Sequence, residues 1–358
     1  MLQSSSQSAL PRRERAFFLG RPRLRPSKGL SFAPFLLVLF QACAVPEGGF
    51  RGPFPVRTQH PVELTVLDLT QRRGMVLPPG TAEARLQVVQ ANQALTSHEG
   101  PRDESFMFDL ETTRVSIPFR LGLGKGLDLE IQPAFLRPTT GFLDGFIENF
   151  HDALNFPNGE RDDLGRYHYR AYIEKEGERV YEIDAGETLL EDLPAILSAQ
   201  VLKNHPWLPD VTARIALEAP LQKSNKGGGN GGWDEGLGLA ASKKALGCEF
   251  SGTVSWVHPY TPKRFRRHKV RLANRWSSGF AVEMPLSPRL AAIVQARYHQ
   301  SVLGNMNARR LNKPQLLVWT GGRLLLSKRA FLEGSVGEDL IQKVSPDVAF
   351  HVALGLRF

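Results

Sequence analysis

The stretch VAFHVALGLRF, Val348–Phe358, places Val348, Phe350, Val352, Leu354, Leu356 and Phe358 at every second position. Small or polar residues (Ala349, His351, Ala353, Gly355, Arg357) stand between them. Strict period two describes a β-strand with one apolar face, because successive side chains point to opposite sides. A terminal strand in a soluble sandwich usually frays into polar residues. Here the alternation continues to the last residue.

The same pattern recurs upstream. In RVSIPFRLGL, Val115, Ile117, Phe119 and Leu121 alternate with Arg114, Ser116, Pro118 and Arg120. LDLEIQPAF, VTARIALEA and CEFSGTVSW repeat it. Short alternating segments separated by turn residues are the mark of an outer-membrane barrel. The terminal strand is similar to that of Gram-negative outer-membrane barrels. That resemblance implies that Phe358, Leu356 and Leu354 form the signal read by the barrel insertion machinery.

Counting segments gives strands near 82–93, 106–122, 127–136, 194–203, 210–219, 236–244, 248–257, 278–286, 290–300, 315–327, 330–337 and 347–358. Short and long connections alternate between them. About twelve strands, an even number, put Phe358 on the short-turn side expected of the periplasm. The expected fold is all-β: a transmembrane antiparallel barrel over 82–358, with an insert at 137–193.

Residues 1–44 read as a signal peptide. A basic n-region with Arg12, Arg13 and Arg15 precedes the apolar LSFAPFLLVLF and an Ala42-Cys43-Ala44 cleavage site. Cleavage there leaves Cys248 as the single cysteine, so no internal disulfide is expected; acylation of Cys43 is the rival reading. Residues 45–81, with one alternating segment (Val62, Leu64, Val66), are expected to plug the barrel, lie in the periplasm or add a strand. In the insert, Phe142, Phe146, Ile147, Phe150 and Leu154 recur at helical spacing, and 167–185 reads as an outer hairpin.

GPFPVRTQHP (52–61), GFLDGFIENFHDALNFPNGERD (141–162) and PDVAFHVALGLRF (346–358) resemble an uncharacterised bacterial family of outer-membrane barrels, a domain of unknown function. Thr58 stands where members of that family commonly carry Asn. The resemblance implies fold and location and carries no mechanism.

Alternation directs Glu83, Arg85, Arg114, Arg120, Asp128, Glu130, Arg214, Glu218, Arg297, Glu333 and Arg357 towards the lumen. A charge on the lipid face costs about 2–4 kcal/mol at mid-depth. Such a lining belongs either to a solute-selecting channel or to a lumen packed with paired ions, and the mixed signs favour pairing. His299 and Ser301, two apart, are similar to the base and nucleophile of the outer-membrane phospholipase. Val302-Leu303 departs from that family's Asn-Gly, and the pair's phase points inward, away from lipid. Asp144, Glu148, His151 and Asp152, with Asp162 and Asp163 nearby, could hold a divalent cation; a solvated helix face is the commoner outcome at this spacing, and no metal or other cofactor is expected. The basic run Lys263–Lys269 points to lipopolysaccharide phosphates rather than nucleic acid, with a solvated, mobile loop as the default.

The expected function is therefore a passive one in the outer membrane. It is a channel or binding barrel for small solutes, or a structural envelope protein, with membrane lipid as partner. A lipid hydrolase using His299 and Ser301, and a soluble secreted all-β binding protein, are the alternatives.

Overall fold

The computed structural model describes residues 49–97, 103–154, 167–222, 227–308, 310–340, 346 and 348–358. The proposed signal peptide with Cys43, and Asp162 and Asp163, lie outside the described residues, as do the side chains of His151 and Asp152.

Seventeen strands form one antiparallel sheet. They run as β1 Ala82–Thr96, β2 Glu104–Ser116, β3 Phe119–Gly124, β4 Leu127–Ile131, β5 Ala134–Thr139, β6 Arg170–Lys175, β7 Glu178–Glu182, β8 Leu189–Leu190 and β9 Leu193–Leu202. The rest are β10 Asp210–Ala219, β11 Asp234–Ala245, β12 Cys248–His258, β13 Arg275–Pro285, β14 Leu290–His299, β15 Gln315–Leu325, β16 Ala330–Asp339 and β17 Val348–Arg357. Pro118 stands between β2 and β3 and Pro133 between β4 and β5, and each of these pairs, like β8–β9, continues as one stave. The result is a closed barrel of twelve strands. β17 pairs with β1, Leu354 opposite Leu86 and Val352 opposite Val88, and no edge remains. Closure is what hydrocarbon demands, since it offers backbone groups no other partner.

The wall has two faces. Leu86, Val294, Leu332, Val352 and Leu354 are exposed outward, while Glu83, Gln295, Glu333, His351 and Ala353 are buried inward. Ten-residue β16 and β17 alternate in this way along nearly their whole length. The soluble sandwich is thereby excluded as a fold: no second sheet covers the apolar face among the described residues.

Short turns lie at one end and the long connections at the other. The insert contains α1 (Leu143–Leu154) and the β6–β7 hairpin. The basic run folds into the short helix α2 (Lys263–Arg267), which buries Phe265 and leaves most of its cations exposed.

Residues 50–77 run through the barrel interior. Their partners lie on β1, β4, β10, β11, β13, β14 and β15, all around the wall, a set that only a central segment can reach. The alternation of Val62, Leu64 and Val66 is not that of a strand. Glu63–Thr65 form one 3-10 turn, and every residue from Thr58 to Gln71 is buried because wall surrounds all sides.

Candidate functional site

The lumen is the chemically distinctive region, and its inner surface is set by strand parity. The threaded segment crosses it in three zones.

Near the short turns, Glu283 Oε2 accepts from the backbone N–H groups of Arg51 (3.0 Å) and Gly52 (2.6 Å). Arg323 bridges Glu283 (2.8 Å) and Glu333 (2.7 Å) and donates to the Gly52 carbonyl (2.8 Å). Arg85 pairs with Glu83 (2.9 Å) and Glu333 (3.2 Å), and Arg357 with Glu83 (2.7 Å). Arg51, Arg85 and Arg323 also surround the Phe331 ring. Burial, then the nearby Arg357, lowers the Arg51 guanidinium to about 10. On the neighbouring wall, Arg72 reaches Asp128 and Glu130, both at 3.0 Å, and Arg120 pairs with Asp128. Arg73 binds Glu249.

Mid-lumen, the segment uses wall side chains as strand partners. Gln295 accepts from Phe54 N–H (2.8 Å) and donates to the Phe54 carbonyl (3.2 Å). Arg214 donates to the Thr70 carbonyl (2.8 Å), and Gln71 donates to the Ala296 carbonyl (3.1 Å). Glycines make the room: a Cβ at Gly236 would meet Leu69 at 2.5 Å, and one at Gly279 would meet Gln71 at 2.4 Å.

Towards the long loops, Asp68 is clamped by Arg297, and Glu63 pairs with Arg275 (2.6 Å). Burial raises the Asp68 carboxyl, but Arg297 and Arg275 outweigh it and hold the group below the ordinary carboxylate range. Arg114 grips Glu191 through two N–H groups at 2.8 Å. Above this layer Val62, Leu64, Val66 and Leu67 join Phe106, Phe108, Ile173, Tyr181, Phe265, Leu303 and Met306 in one apolar cluster. The loops thus cap the outer mouth on the segment itself.

Among the charged residues expected to face the lumen, Arg357 is partly exposed (27% for its side chain) while it pairs with Glu83. Glu83, Arg114, Asp128, Glu130, Arg214, Arg297 and Glu333 are buried, Arg85 and Arg120 nearly so, and Glu218 is buried opposite Asp234. Phe358, Leu356 and Leu354 are exposed on the outer face. Sequence reasoning missed the partners Arg51, Arg57, Glu63, Asp68, Arg72 and Arg73, whose segment has no periodicity to read. Arg275, Glu283 and Arg323 were within reach, since they share the inward parity of Gly279 and Glu333.

His299 and Ser301 are both buried. The Ser301 hydroxyl donates to the Leu311 carbonyl and accepts from Leu303 N–H (3.0 Å), and the His299 ring nitrogens make no hydrogen bond to it. Asp144 is buried and accepts from Asn92 (2.8 Å) and Tyr167 N–H (2.8 Å), an anchoring role for α1.

A family model described as a protein of unknown function (DUF3187) matches residues 31–358. Among solved structures, the COG4313 outer membrane channel from Pseudomonas putida F1 is similar at 12% identity and a TM-score of 0.52. The match covers 81% of this chain and 100% of that one. The toluene transporter TbuX of Ralstonia pickettii is similar at 9% identity and a TM-score of 0.39, over 89% and 98% of the two chains. For the toluene transporter TodX of Pseudomonas putida the values are 11%, 0.35, 89% and 98%. No curated protein matches. The first of these likenesses gives the fold: that of an outer-membrane β-barrel.

Proposed function

The chain belongs to the DUF3187 family of proteins of unknown function, and we propose that it is an outer-membrane channel for small solutes, closed by its own residues 50–77. One observation carries this reading. The lumen is wide enough to hold a whole chain segment, and ion pairs and hydrogen bonds tie that segment to the wall along its length. Such contacts exchange for water when a segment moves, whereas a purely structural barrel can be filled by its own wall side chains. The apolar packing falls in two clusters, one at the outer mouth where loops and segment meet and one where Phe54 and Val56 lie against Val89, Ile293 and Trp319 of the wall.

The charges left on the wall, of both signs, would then line the open passage and set its selectivity. Catalysis has no part in this reading, since the Ser301 hydroxyl is engaged by loop backbone. The exposed row Phe358, Leu356 and Leu354 supports a contact with the insertion machinery, and the exposed cations of α2 support a contact with lipopolysaccharide phosphates.

Planar-bilayer recording tests the channel. The wild type is expected to conduct rarely, and Asp68→Ala, which removes the segment's central clamp, to raise open time at least several-fold. Equal silence from both would leave a static envelope barrel. A gel shift on boiling should accompany either result, as the sign of a closed barrel.

A further inference from the structure

Between the threaded segment and the β1, β3 and β4 wall lies a cavity of about 50 Å³. Its lining includes Arg51, Arg72, Arg73, Arg85 and Arg120, against two carboxylates, Glu83 and Glu130. One water needs roughly 10–15 Å³ on this measure, so the space exceeds a single water.

The charges around it do not balance. The buried ion pairs tie these five arginines, together with Arg323 and Arg357, to Glu83, Asp128, Glu130, Glu249, Glu283 and Glu333. One positive charge is left over. Arg51 is the cation with spare capacity. Its side chain is 1% exposed, and its Nη2 donates to the Lys328 carbonyl (3.1 Å). Its Nε and Nη1 have no hydrogen-bond acceptor, and Glu83 stands 3.6 Å from Nη1. Buried guanidinium donors without acceptors are costly. An acceptor bearing one negative charge answers both deficits at once.

We propose that this cavity binds one small oxyanion, a carboxylate or a phosphate, on the free donors of Arg51, with Arg85 and Arg120 beside it. Forked N–H donors suit planar or tetrahedral oxyanions. Because Arg51 belongs to the segment while Arg85 and Arg120 belong to the wall, a bound anion ties the two together near the short-turn mouth. The site itself stands apart from the channel reading; only its effect on gating rests on that reading.

The test is calorimetric titration of the full-length protein in detergent, at constant ionic strength set with chloride. Sodium phosphate and sodium acetate are injected in separate runs. Saturable binding of about one anion per chain is expected from at least one of them, and which one binds identifies the class. Arg51→Met should weaken it at least tenfold while the gel shift persists. Glu83→Gln, which raises the local positive charge, should tighten it. Absence of saturable binding for both anions overturns the proposal, as does wild-type affinity in Arg51→Met. Should Arg51→Met lose its gel shift, Glu83→Gln decides alone, and unchanged or weaker binding there overturns the site. The Asp68→Ala recording needs no added anion, so failure of this site leaves the channel result standing, and the converse also holds.

Discussion

Arg297 on β14 holds Asp68 of the threaded segment with both terminal nitrogens, Nη1 at 2.8 Å from Oδ2 and Nη2 on Oδ1. Arg275 stands 3.5 Å from the same carboxylate. Two wall arginines therefore share one segment carboxylate, buried from water. Removing one partner of such a group is far worse than never having made it, because a buried charge is left uncompensated.

Asp68→Ala is thus expected to lower the stability of the docked segment by about 3–5 kcal/mol. Limited proteolysis checks it: cleavage within 50–77 should rise steeply while the barrel keeps its gel shift. Wild-type resistance would show that the clamp contributes little.

Acid should release the segment in two stages. His60 is buried against the Phe108 ring, and burial lowers its pKa from 6.5 to about 3. An undocked His60 takes a proton below about 6.5, whereas the docked one refuses it until far lower. The stability present above 6.5 is therefore lost progressively as pH falls towards 3. Asp68 is depressed as well, so its contribution is full above the ordinary carboxylate pKa, near 3.9, and declines below that. Proteolysis of the segment should be slow at pH 7.5, faster at pH 5 and faster still at pH 3.5. In His60→Phe the first stage should vanish; a profile unchanged by that substitution would remove His60 from the account.

Gly236 leaves the space that Leu67 and Leu69 occupy. Gly236→Val is expected to overpack this crossing at a cost of about 1–3 kcal/mol. Since β11 tolerates a β-branched residue, the barrel should form normally and the segment should dock poorly. Bilayer openings longer than in the wild type are the expected readout.

Gly141 precedes α1 with φ +73°, and an added Cβ would lie 1.9 Å from the Glu111 carboxyl carbon. Glu111 in turn receives hydrogen bonds from Asn92 and Leu143 N–H. Gly141→Ala should therefore detach the start of α1 and speed cleavage in the insert, with the gel shift retained. Protection equal to the wild type would mean that the loop is held by other contacts.

The sequence by itself determined the wall. Side chains on a regular pleated strand alternate, and lipid tolerates one polarity only, so Leu354 against Ala353 or Val294 against Gln295 assigns each face before any coordinates. Strand number and loop alternation follow from the same rule. What fills the barrel was decided only in three dimensions. Residues 50–77 are surrounded on all sides, so their burial has no period. Their charges, from Arg51 to Arg73, carry no readable pattern until wall partners from Glu83 to Arg323 are brought round them. A carboxylate such as Asp68 acquires its role from Arg275 and Arg297, and barrel closure alone makes those three neighbours.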